Sequence, residues 1–273
     1  SPISALAMFL FVWGCAPREG GAPVSEQVTI GDLAPQRDGR SSPSLNATNL
    51  DVLVFQVPSE RIRDLRGLWD ILRTDAFLYG HHQAFRSNAF RVARGTVQQW
   101  DWILGSLSEA GARPGGTVSV WLTADEENDM TVAVLGEPQK VAFLDNEGRP
   151  QELALGPGRL VLRFWTEPMT SSVPSRRLVA YPVFTRGSRR REGRWAALAK
   201  DQEVAFSGAA FSTPLQEGDV LVLGPEEYCG DSSTLGGMFF SDPKGQMTVE
   251  PGSPTPVQVK GAVRIYAMMC TRL

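Results

Sequence analysis

Few side chains in this sequence have a type and spacing that could do chemistry. Only two histidines occur, and they are adjacent, His81-His82. On a strand, neighbouring side chains point to opposite faces, so the pair could share a metal only from a loop. No cysteine and no tight carboxylate pattern lies nearby, and a solvated loop is the expectation. Asp125-Glu126-Glu127-Asn128-Asp129 is the densest acidic run. Calcium takes several carboxylate and carbonyl oxygens, but the run lacks the D-x-[DN]-x-[DN]-G spacing. It reads as an acidic hairpin tip between two strands. Nucleophilic catalysis needs a base beside the nucleophile. No G-x-S-x-G, H-E-x-x-H or G-x-x-x-x-G-K-[ST] motif is present. Carboxylates that meet only in space leave no sequence mark, so a hydrolase of that kind remains a third reading. The expectation is a non-enzymatic protein with no catalytic residue, metal site or cofactor.

Charge clusters and cysteines say more. Arg186, Arg189, Arg190, Arg191 and Arg194 form a basic patch after a predicted strand, and Arg176 and Arg177 precede that strand. Such a patch can hold anionic head groups at roughly 1 kcal/mol per residue, or dock an acidic partner, or simply be solvated. A net charge of −3 gives no global basic field for nucleic acid. After Cys15 only Cys229 and Cys270 remain. In an oxidising compartment they could form a disulfide closing a loop of about 40 residues, worth about 3–4 kcal/mol. Two buried thiols are the alternative.

The elements that must position these groups follow from periodicity. Residues 49–113 read as a small βαβα unit. Asp51 to Val57 is an apolar, β-branched strand ended by Pro58. Ser59 is an expected helix N-cap, and Ile62, Leu65, Trp69 and Leu72 fall on one helical face, leaving Arg61, Arg63, Asp64 and Arg66 largely on the wet side. Asn88 to Ala93 reads as a second strand. Thr96 and Gln99 make a capping box before a helix with Val97, Trp100, Leu104 and Leu107 on its apolar face, closed by Gly111. The two halves resemble each other, as a duplicated β-α unit would. Trp69, Trp100 and Trp102 read as helix-sheet packing.

Residues 116–273 change to short apolar runs separated by turn signals such as Asn146-Glu147-Gly148 and Glu217-Gly218-Asp219. Strands are expected at 117–122, 130–135, 140–144, 159–165, 178–184, 204–206, 220–223, 238–240, 247–249 and 257–269. The fold class is therefore α+β: a small βαβα unit followed by a larger, mainly antiparallel β region, sandwich or barrel-like. Hydrophobic content of 42% and charged content of 21% suit a globular body.

Upstream lies Ile3 to Cys15, an uncharged apolar run. It is too short for a spanning helix, which needs about 20 apolar residues, and suits the core of a signal peptide. Its end, Val12-Trp13-Gly14-Cys15, resembles the lipobox of bacterial lipoproteins, an aliphatic residue, two small residues, then cysteine; Val12, Gly14 and Cys15 match, and Trp13 is bulkier than the pattern. The resemblance implies that 1–14 is a signal peptide and that Cys15 carries a lipid. Residues 15–48, rich in Pro, Gly, Ser and Arg, would be a flexible tether. It further implies a cell-envelope, periplasm-facing location, with Ala16 after the cysteine favouring the outer membrane.

A second resemblance concerns the C-terminal half. Leu215 to Gly224, LQEGDVLVLG, is similar to the hairpin of secretins, ring-forming outer-membrane channels, and Arg264 to Leu273 resembles their terminal strand, with its Pro missing. This implies an architecture only: a component of an envelope assembly, binding envelope proteins and open to homo-oligomerisation. The alternative reading is a solute- or glycan-binding lipoprotein that uses Trp121 or Trp165 as stacking platforms.

Overall fold

Strict alternation in the first strand decides the architecture. The computed structural model describes residues 47–123, 126–169, 176–186, 203–227, 233–246 and 260–272. Strands β1 (Thr48–Pro58), β2 (Leu78–Tyr79) and β3 (Phe90–Thr96) alternate with helices α1 (Arg66–Ile71), α2 (His82–Ser87) and α3 (Trp100–Glu109). Then come β4 (Arg113–Leu122), β5 (Asn128–Leu135), β6 (Gln139–Leu144), β7 (Pro150–Leu155), β8 (Gly158–Pro168) and β9 (Arg176–Arg186). Short β10 (Glu203–Ala205) and β11 (Phe211–Leu215) precede β12 (Asp219–Pro225), helix α4 (Leu235–Phe240), β13 (Ser241–Gln246) and β14 (Lys260–Arg272). In β1, Leu50, Val52 and Val54 face one hydrophobic cluster and Leu53, Phe55 and Val57 face another. A strand apolar on both sides must be covered on both.

Among the described residues β1 lies in the first of two six-stranded antiparallel sheets, and a second sheet and a layer of helices supply that cover. The first runs β3-β12-β14-β1-β4, with β13 on the same edge of β14 as β12. The second runs β2-β11-β9-β8-β5, with β10 beside β11 along β9. Leu221, Leu223, Tyr266 and Met268 from the first sheet meet Leu160, Leu162, Phe164 and Phe184 from the second in one core. On the other face of the first sheet, Val220, Val222, Ile265 and Ala267 are covered by Leu65, Leu68, Trp69, Ile103 and Leu107 of the helical layer. The layers are therefore helices, sheet, sheet. The α+β class and the mainly antiparallel, sandwich-like body match the expectation.

The expected boundary near residues 113–116 does not separate two bodies. Strands β1 and β3 pair with β14 and β12, so strands from both sides of that boundary share one sheet within the unit Leu45–Leu273. Register cannot be read from either segment alone, because the β1–β14 and β3–β12 ladders each join residues over 100 positions apart. Both β-α repeats lay their helices on the same sheet face, although β1 and β3 are not neighbours.

The segment Leu215–Gly224 is not a hairpin. β11 belongs to the second sheet and β12 to the first, so the turn at Gly218 (φ 85°) carries the chain between layers. Asp219 fixes this corner. It is 5% exposed, its carboxylate accepts from Arg94 Nη2 at 2.6 Å, and it also accepts from the Gln216 N–H at 2.6 Å. Arg94 donates besides to the Pro214 carbonyl at 3.0 Å.

Two local expectations change. Residues 59–65 form a 3-10 turn leading into the short α1, and no side chain caps it, so Ser59 is not the N-cap. Residues 238–240 lie in α4, not in a strand. Thr234 accepts from the Gly237 N–H at 3.1 Å, and a Cβ on Gly236 would stand 2.4 Å from the Asn88 carbonyl oxygen. A helical turn buried all round has no amphipathic period, so it reads like a core strand. The expected strand at 247–249 lies outside the described residues. The Thr96–Gln99 capping box is present, and Gly111 adopts φ 72° after α3.

Candidate functional site

Packing of α1 creates a concave surface among the described residues. Leu65, Leu68, Trp69 and Leu72 are drawn onto the first sheet, which leaves Arg63 and Arg66 exposed beside the ends of β3 and β12. Gly224 makes room for the indole: a Cβ there would stand 3.1 Å from Trp69 Cζ2 and 2.7 Å from Ile265 Cδ1. Arg91, opposite Gly224 in the β3–β12 ladder, lays its guanidinium 5.0 Å from the Trp69 ring centroid, a cation–π contact. The resulting cleft has a volume of about 400 Å³ and is lined by Ile62, Arg63, Arg66, Trp69, Arg91, Pro225, Glu226 and Glu227.

A second cleft, of about 290 Å³, shares Arg91 and Glu226 with the first and adds Thr74, Tyr79, His82, Phe85 and Arg86. Glu226 stands at the junction. Its N–H donates to the Ala89 carbonyl at 3.0 Å, and its carboxylate pairs with Arg86 and lies 4.0 Å from Arg91 Nε. Arg63 and Arg66 have no carboxylate within ion-pair distance among the described residues. In the second cleft the Tyr79 ring packs 5.0 Å from His82 and 4.8 Å from Phe85. Burial, reinforced by the Glu226 charge, raises the Tyr79 hydroxyl above the ordinary phenol range and keeps it protonated. Chemically the arrangement can hold an anion.

The histidines separate in role. His81 Nδ1 accepts from the Ala84 N–H at 3.0 Å and so caps α2, while His82 lines the second cleft. Histidine is not among the usual N-cap residues, so the sequence offered no cue for this role. Among the described residues no group of three or more His, Cys, Asp or Glu side chains is placed to hold a metal.

Of the acidic run, Asp125 lies outside the described residues. Glu126 accepts from the Thr123 hydroxyl at 2.6 Å. Glu127 and Asp129 turn to Arg163 on β8, whose guanidinium donates to Asp129 at 2.6 and 2.8 Å and to Glu203 at 2.8 Å. The Asp129 and Glu203 hydrogen bonds hold Arg163 firmly protonated, above its already high range. This is where carboxylates do meet in space, and each is ion-paired to one arginine.

Arg186 is exposed at the end of β9, whereas Arg189, Arg190, Arg191 and Arg194 lie outside the described residues, as do Cys15 and Cys229. Cys270 is a buried free thiol on β14, 3.6 Å from the Arg272 carbonyl oxygen. Trp165 is half-buried. Trp121 is 56% exposed, on the side of β4 away from the sandwich core. Around it stand polar groups: Asn49, opposite Trp121, donates to Thr271 Oγ1 at 2.7 Å, and Ser119 donates to Asp51 at 2.6 Å.

The arginine cleft is a feature the sequence reading missed. Three arginines among residues 61–66 read as a wet helix face, and that face is indeed wet. What turns it into a wall is Arg91, which sits on an outward position of β3 and arrives from another element.

These elements define an α+β protein: an antiparallel sandwich with a helical layer on one sheet and an arginine-lined cleft at its rim. No family model matches the sequence, and no curated protein or solved structure is significantly similar to it.

Proposed function

We propose that this chain is a non-enzymatic interaction component of a cell-envelope assembly, anchored through a lipid on Cys15 and tethered by residues 15–48. The observation that supports the interaction half is β4. It is ten residues long and pairs only with β1 among the described residues. It also carries exposed Val118 (43%) and Trp121. An open edge with apolar side chains is a ready template for an added strand from a partner or a second copy. The anchoring half rests on the sequence Val12-Trp13-Gly14-Cys15 alone. Among the described residues no helix is long and apolar enough to cross a membrane. The test has two arms. Radiolabelled palmitate should enter the wild-type chain and not Cys15→Ser. Affinity purification from detergent-solubilised envelopes should retain partner proteins that Val118→Lys releases. A cytosolic, unlabelled product with no retained partner would refute the proposal.

A second reading, glycan binding, is favoured by the exposure of Trp121 among Asn49, Asp51, Ser119 and Thr271. An indole face flanked by short polar side chains suits a sugar ring. Loss of saccharide binding in Trp121→Ala is its direct test, and full retention would remove it.

A further inference from the structure

We infer that the Arg63–Arg66–Arg91 cleft is a binding site for a phosphate monoester or diphosphate group carried on a small organic head group. The inference is independent of the tethering proposal and concerns a different surface from β4. Three observations carry it. First, the cleft and its neighbour gather four guanidinium groups, of Arg63, Arg66, Arg86 and Arg91, against two carboxylates, of Glu226 and Glu227. The surplus is positive although the whole chain is negative, at −3. Second, the charges are not equivalent. Glu226 already answers Arg86 and stands beside Arg91, whereas Arg63 and Arg66 face the opening with no carboxylate in range among the described residues. Guanidinium forks with their donors unanswered suit the oxygens of a phosphate, which accept several hydrogen bonds in parallel. Third, the space exceeds a bare ion. One water takes about 30 Å³, so a cleft of about 400 Å³ has room for a phosphate and the group it is attached to. Ile62 and Pro225 offer that group apolar contacts.

The site is held rather than improvised. Trp69 is 6% exposed and locked into the slot left by Gly224, and Arg91 is fixed over it. Arg63 and Arg66 come from the turn and helix that carry Leu65 and Leu68, both fully buried. A phosphate entering the cleft therefore meets one guanidinium group stacked on an indole and two exposed ones. The same chemistry could come from a soluble phosphate ester or from a phospholipid head group.

The test uses the full chain in a neutral detergent, with ³¹P NMR titration of pyrophosphate in one arm and of phosphatidic acid in mixed micelles in the other. Saturable broadening by the wild-type chain is expected in at least one arm. Arg63→Gln/Arg66→Gln should weaken it by about tenfold or more, since each lost charge-assisted hydrogen bond is typically worth that much. Arg159→Gln, an exposed change on β8, should leave it unchanged. Both altered arginines in the cleft are exposed, so the thermal midpoint should not move. Saturation with pyrophosphate assigns a soluble ligand; saturation with phosphatidic acid alone assigns a lipid head group. Absence of saturation in both arms, or equal binding by wild type and Arg63→Gln/Arg66→Gln, overturns the inference.

Discussion

Replacing Asp219 by alanine should cost the fold about 3 kcal/mol, at the lower end of the range for breaking a buried ion pair. The side chains of Arg94 and Asp219 are 19% and 7% exposed. Truncation leaves the Arg94 guanidinium without its carboxylate in a site that water reaches poorly, and it orphans the Gln216 N–H. Two features keep the loss from the upper end: Arg94 retains some solvent, and it keeps its bond to the Pro214 carbonyl. For a unit of this size each kcal/mol moves the melting midpoint by about 2–4 °C, so a fall of about 6–12 °C is expected. Urea denaturation followed by circular dichroism should show a lower midpoint with an unchanged slope. Arg94→Met removes the same pair from the other side. In a double-mutant cycle the two changes together should cost less than their sum by about 1–3 kcal/mol. A loss below about 1 kcal/mol for Asp219→Ala, or strict additivity in the cycle, would show that the corner between the sheets is held by something else.

Other consequences can be measured separately. Gly208→Ala places a Cβ 2.2 Å from the Leu144 carbonyl oxygen and 2.8 Å from that of Asp145. Neither backbone group can yield cheaply, so chemical denaturation should show a loss of about 1–3 kcal/mol. The Asp145 carboxylate accepts from the N–H groups of Glu147 and Arg149, which with the Arg149 and Gln151 side chains lowers its pKa to about 2. Because the folded value is depressed, its contribution is complete above the ordinary aspartate range and is lost as pH falls through about 2. Amide exchange in the β6–β7 turn should rise over that window in the wild type, and already at neutral pH in Asp145→Asn. Burial pushes the Cys270 thiol up to about 12, with a smaller opposing effect from the Arg272 backbone. The unfolded thiol ionises near pH 9 and the folded one does not, so stability should decline between about 9 and 12. Iodoacetamide labelling of Cys270, read by mass spectrometry, should accordingly require unfolding.

Local signals reported local structure well. The Thr96–Gln99 box, the left-handed Gly111 and the two-sided apolar strand at residues 51–57 all depend on neighbours within a few positions, and all were legible. Failures begin where a partner lies far along the chain. Met238 to Phe240 looked like a strand because an all-buried turn of helix has no polar side to reveal its period. Leu215 to Gly224 looked like a hairpin because a turn sequence does not say whether its two arms stay in one sheet. The site followed the same rule. Arg63 and Arg66 were visible as outward arginines, but a cleft needs the opposing Arg91 and Glu226, brought in by the pairing of β3 with β12. His81 became a helix cap only because α2 begins immediately after it.

The pairing of β1 with β14 has a kinetic meaning. Side chains 222 positions apart, Asn49 and Thr271, hydrogen-bond across this ladder. β14 also holds β12 and β13 on its far edge, so the first sheet has a gap at its middle until β14 arrives. Contacts of such long sequence separation close slowly. A chain emerging amino-end first from a ribosome can thus pair the strands of its second sheet early, while the first sheet keeps an unfilled slot until β14 is delivered to bridge it.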